Sequence, residues 1–155
     1  MSPYRHTQPG TVVRWALLAP LLALVALPLM PVPWPVLGPL MGLVAAIGAV
    51  SVVLLWSLTI EVTPAHFKFW FGPGLIGKTL PVARIVSCTP VDGLWAWGIH
   101  WAGKRGWLYN VSGHRAVALR LSDGKALMVG TDEPERLCEA VAQARAGFTA
   151  GEQAY

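Results

Sequence analysis

Residues 15–60 read WALLAPLLALVALPLMPVPWPVLGPLMGLVAAIGAVSVVLLWSLTI and contain no Asp, Glu, Lys, Arg or His. Everything else in the chain is placed relative to this run. A bilayer hydrocarbon core of roughly 30 Å takes about 20 apolar residues per helix, and Val12 to Met30 and Val36 to Leu58 each approach that length. The sequence therefore predicts a two-helix transmembrane hairpin over residues 11–58. Pro31, Pro33 and Pro35 forbid helix continuation between the two spans, and Trp34 suits a polar–apolar interface. Arg5 and Arg14 precede the first span, while Lys68 and Lys78 follow the second. By the positive-inside rule both termini are expected in the cytoplasm, and the chain is expected as a multi-pass membrane protein.

The composition agrees with a division into an apolar and a water-facing part. Of 155 residues 54% are hydrophobic and 13% charged, and the formal net charge is +4. After Ile60 about 95 residues remain, enough for one compact domain and too few for two. The positive charge is modest and suits anionic headgroups better than nucleic acid, for which the basic residues are too few. Membrane lipid, and a membrane-protein partner or a second copy of the chain, are the expected partners.

In the second apolar span Gly38, Gly42 and Ala46 recur at four-residue spacing, with Ala45 and Ala49 beside them. Such a stripe allows close backbone approach, either to Ala16, Ala19, Ala23 and Ala26 of the first span or to another subunit. Residues 1–10 read as a polar tail and residues 149–155 as a second one. Between them the period changes. Leu58, Ile60 and Val62 alternate with Thr59, Glu61 and Thr63, then Phe67, Phe69 and Phe71 with Lys68 and Trp70, the spacing of half-buried strands. A further strand is expected over about Leu80 to Cys88. Val117, Leu119 and Leu121 alternate next, and Asp123-Gly124 leads to Leu127 and Val129. Asp-Gly between alternating runs signals a hairpin with a type I′ turn. Thr131 to Glu135 supplies a cap, acidic residues and a proline for a helix whose Leu137, Ala140, Val141, Ala144 and Phe148 share one face, closed by Arg145 and Gly147.

Several motifs are weighed and set aside. Gly72-Pro73-Gly74-Leu75-Ile76-Gly77-Lys78-Thr79 satisfies the phosphate-loop pattern. Its Lys and Thr are followed by Leu80-Pro81, which opposes the helix such a loop must open, so the glycines are read as turn residues. Asn110-Val111-Ser112 is formally a glycosylation sequon and is read as a side-chain-to-backbone turn. His66, His100 and His114 have no metal-ligand spacing. Cys88 and Cys138 show no zinc spacing and are read as free structural thiols, with a disulfide left open. No catalytic set, cofactor site or metal site is identified, so the protein is expected not to be an enzyme. The most suggestive exposed segment is Trp95, Trp97 and Trp101 with Lys104 and Arg105, a composition suited to an interface or to headgroups, although two of its tryptophans could also fill a small core.

On Trp97-Gly98-Ile99-His100-Trp101, Gly106 to Gly113, the Asp123-Gly124 hairpin and Gly130 to Leu137, the sequence resembles small bacterial two-helix membrane proteins with a pleckstrin-homology-like domain. The resemblance implies, for residues 59–148, a partly open barrel of about seven antiparallel strands capped by a C-terminal helix. It implies a bacterial inner membrane as the location, and no function. On the residues alone the expectation is an accessory or scaffold protein that binds or stabilises another membrane protein. The alternative is a tethered module recognising lipid headgroups or a small ligand.

Overall fold

The structure is a computed structural model that describes residues 3–26, 34–93 and 96–152. The chain runs β1 (Tyr4–Pro9), α1 (Thr11–Ala26), α2 (Trp34–Leu54), β2 (Ser57–Val62), β3 (His66–Phe71), β4 (Ile76–Pro81), β5 (Ile85–Val91), β6 (Gly98–Trp101), β7 (Trp107–Asn110), β8 (Ala116–Leu121), β9 (Ala126–Gly130) and α3 (Pro134–Glu152). Two sheets result. One has the order β1-β2-β3-β4, the other β5-β8-β9-β7-β6.

The alternation of apolar residues builds the first sheet as the sequence indicates. Leu58 lies opposite Phe71, Ile60 opposite Phe69 and Val62 opposite Phe67, so six large side chains share one face. All six are buried against Ile85, Val117, Leu119 and Val129 of the second sheet. Leu137, Val141 and Ala144 of α3 close the same core, while the Phe148 side chain lies outside the described residues. The ring of Tyr109 extends the aromatic packing, 4.8 Å from Phe69 between centroids.

The expected barrel of seven antiparallel strands is not what forms. Nine strands divide into sheets of four and five that do not close on each other, and β7 pairs with β9 in parallel. One reason is that β9, antiparallel to β8 on one side, lies between β8 and β7. Another is the N-terminus. Tyr4–Pro9, expected as a polar tail, is strand β1, paired along its whole length with β2 from Tyr4↔Val62 to Pro9↔Ser57. Its buried Gln8 donates from Nε2 to the Ser112 carbonyl, 3.0 Å away, and the Ser112 hydroxyl donates to the Pro9 carbonyl. These partners lie about a hundred residues along the chain, beyond the reach of local pattern.

The membrane hairpin is corrected as well. Among the described residues no helix is long and apolar enough to cross a membrane. α1 is described over 16 residues, Thr11–Ala26, a rise of about 24 Å against roughly 30 Å of hydrocarbon. α2 has Pro35 in its first turn and Pro39 inside, so its proline-free run starts only at Leu40. The expected multi-pass inner-membrane location and the cytoplasmic termini rested on two crossings and fall with them. The proline turn at residues 31–33 lies outside the described residues.

Three local readings are refined. The expected strand from Leu80 to Cys88 is split by a 3₁₀ turn, Val82–Arg84, between β4 and β5. Asp123-Gly124 does join β8 to β9, but only Gly124 has a positive φ, so the turn is not type I′. Leu121 N–H to the Lys125 carbonyl, at 2.9 Å, closes it. α3 continues past Gly147 to Glu152. The cysteines are not free: Cys88 on β5 and Cys138 on α3 form a disulfide across 50 residues.

Candidate interaction surfaces

The α1–α2 hairpin projects from the sheets, leaving after β1 and returning before β2. On α2, Leu40, Leu43, Val44 and Ile47 follow helical spacing on one face, and all are exposed, Ile47 to 58%. Val50 continues this surface, Val53 is exposed on another side of the helix, and Trp15 and Leu22 of α1 are exposed too. Gly38, Gly42 and Ala46 lie on a different side of α2 and are also exposed. A Cβ at Gly38 or Gly42 would meet nothing within 4 Å, so these glycines do not pack on the Ala16 and Ala19 side of α1. Ala16 and Ala19 are themselves exposed, and the side chains of Ala23 and Ala26 lie outside the described set. α2 is thus apolar and uncovered around most of its circumference. A helix of that kind belongs in apolar surroundings.

The aromatic segment occupies the open edge of the second sheet. Trp101 on β6 lies opposite Trp107 on β7, their rings edge to face at 5.7 Å. Both are exposed, Trp101 to 62%, and do not fill the core. Lys104 and Arg105 follow on the exposed 3₁₀ turn Gly103–Arg105. Trp97 anchors its end of the segment, its Nε1 donating to the Gly113 carbonyl at 3.1 Å while its ring approaches His114. Trp95 lies outside the described residues. The structure therefore brings Trp101, Trp107, Lys104 and Arg105 onto one edge and keeps Gly38, Gly42 and Ala46 apart from them on the hairpin.

Two cavities escape sequence reading, the larger made by elements far apart in the chain and the smaller by the β3–β4 hairpin. The larger, about 680 Å³, lies between β1 and α3 and is lined by Tyr4, His6, Glu133, Arg136, Glu139 and Gln143 among others. His6 bridges the two elements, its Nε2 2.5 Å from the Asp132 carboxylate. The Tyr4 hydroxyl is buried beside Glu133. Burial, and after it the charges of Glu133 and Asp132, push its pKa up to about 12. The smaller cavity, about 460 Å³, lies at β3 and β4 beside Lys68, Trp70, Gly74, Leu75, Lys78 and Thr79.

Among the described residues no group of three His, Cys, Asp or Glu could hold a metal ion. Asn110 of the sequon is wholly buried, its Nδ2 donating to the Ala96 carbonyl at 3.1 Å and more weakly to that of Gly113. The phosphate-loop pattern is a strand hairpin: Lys78 and Thr79 lie in β4, and Gly72 and Gly74 take positive φ in the turn. Compared with known protein families, with characterised proteins and with solved structures, the chain shows no match to any.

Proposed function

We propose that the protein is a non-enzymatic accessory or scaffold protein that binds another protein, or a second copy of itself, through the apolar surface of its helical hairpin. The observation that supports this reading is the uncovered row Leu40, Leu43, Val44 and Ile47, continued by Val50. Apolar patches beyond a few hundred Å² are rare on free monomers and mark interaction sites. The Trp101–Trp107 edge with Lys104 and Arg105 is a second contact region of hot-spot composition, aromatic and cationic side by side. The two sheets and their disulfide form the rigid base from which the hairpin is presented.

The test is photo-crosslinking in the producing cell from a photoreactive residue substituted at Ile47. A discrete protein adduct, or a self-adduct of twice the mass, is expected. Leu43→Lys together with Val50→Lys should reduce it at least tenfold, since placing two charges in an apolar contact costs several kcal/mol. Absence of any protein adduct, or an adduct indifferent to the two lysines, refutes the reading.

A further inference from the structure

We propose that the outer face of β3, at the β4 edge of the sheet, is a binding site for an anionic amphiphile: a phosphate head held by Lys68 and Arg5 beside Trp70, with Lys78 at the cavity rim on edge strand β4, and an apolar chain leaving along the end of α2. The head site is separate from the partner-protein surface, while the chain path shares Val50 with it.

The charge pattern carries it first. Arg84, Arg115 and Arg136 have carboxylate partners, in Asp123, in Asp92 with Glu135, and in Glu133. Among the described residues Arg5, Lys68 and Lys78 have none within 4.0 Å. Glu61 stands in register between Arg5 and Lys68 yet forms no ion pair with either. Two of the cations are instead gathered on one ring, with the Lys68 ammonium 5.0 Å and the Arg5 guanidinium 5.6 Å from the Trp70 centroid. The aromatic face partly offsets their mutual repulsion and leaves their hydrogen-bond donors free.

The shape carries it next. The cavity of about 460 Å³ is lined by Lys68, Trp70, Lys78 and Thr79 and by the turn at Pro73, Gly74 and Leu75, with no carboxylate in its wall. That volume suits a phosphate group with its ester. The same turn is seated on the helical hairpin. A Cβ at Gly72 would press on the carbonyl oxygens of Val53 and Leu54, so no side chain separates the turn from the end of α2. Leu75 at the turn and Val53 and Val50 on α2 are exposed apolar residues. A cationic, donor-rich cavity thus adjoins an uncovered apolar helix, the two halves an amphiphile requires.

The experiment is isothermal titration of the full-length protein in neutral detergent. Dihexanoyl phosphatidic acid is the probe, with inorganic phosphate and dihexanoyl phosphatidylcholine in parallel. Saturable binding of the phosphatidic acid is expected, weakened at least tenfold in Lys68→Gln/Lys78→Gln and tightened in Glu61→Gln, since each charge-assisted contact contributes on the order of a tenfold factor. The affinity should also fall between 50 and 500 mM salt, as screening requires. Inorganic phosphate binding as tightly as the lipid would retain the head site and overturn the chain path. Binding of the choline lipid with equal strength, no saturable binding of either anion, or an affinity unchanged in the double variant overturns the proposal.

Discussion

Replacing both Cys88 and Cys138 by serine, or reducing their disulfide, removes the covalent link between β5 and α3. The bond spans 50 residues, and in the chain-entropy account closing a loop of that length costs the unfolded ensemble about 4 kcal/mol at 25 °C. The apolar contacts of Leu137, Val141 and Ala144 survive reduction and hold α3 in place, so the folded state persists while its margin shrinks. Native stability of a domain is ordinarily 5–15 kcal/mol. A loss of about 2–4 kcal/mol is therefore expected, read as a drop of roughly 5–15 °C in Tm for a chain of this size. The assay is thermal unfolding followed by far-UV circular dichroism, run with and without dithiothreitol on both the parent and the double-serine protein. Only the parent should respond to reductant, and it should fall to the Tm of the variant. Two thiols reactive towards Ellman's reagent in the native, unreduced parent would refute the reasoning, as would a double-serine protein of parental Tm.

Two other perturbations probe the core and the N-terminal strand. Phe69→Ala empties a fully buried site packed on Phe67 and Tyr109 and should cost about 3–5 kcal/mol in denaturant unfolding; a cost below 1 kcal/mol would place Phe69 outside the core. Tyr4 holds its proton more tightly when folded, to about 12 against 10.0 for the free side chain. Its contribution is whole below pH 10 and is lost as pH rises towards 12, so stability should decline across that window, and less steeply in Tyr4→Phe. Identical slopes in the two proteins would count against the buried hydroxyl.

How far the sequence was legible depends on how local each cause is. The alternation of Phe67, Phe69 and Phe71 with Lys68 and Trp70 gave strand, face and burial together, because period-2 patterning is itself the physics of a half-buried strand. The Asp123-Gly124 turn was legible in place but not in type, since loop length and the Lys125 closure set the geometry. β1 was hidden because its burial comes from partners such as Ser112 and Asp132, remote in sequence. The disulfide was hidden for the same reason: cysteine spacing carries no record of which helix folds back on which strand. The apolar run was read for its hydropathy, and hydropathy does not register a proline such as Pro39 inside a helix. Of the candidate surfaces, the aromatic edge was legible as composition, whereas the Trp70 cluster needed β1, β2, β3 and β4 to be laid side by side.

The hairpin is held in the sheet by two neighbouring threads. Pro9 and Ser57 sit opposite each other in the β1–β2 ladder, and the Gly10 amide reaches the Trp56 carbonyl at 2.8 Å just outside it. Between those points the helices are an insertion in an otherwise continuous strand pair, seated like a two-pin plug. A tug along the hairpin reaches both pins from the same end and draws the strands together as a unit, without peeling one from the other. The β3–β4 turn at Gly72 and the Val13 amide on the Val111 carbonyl brace the base of the plug, so load on the helices also reaches the sheets beside the two pins.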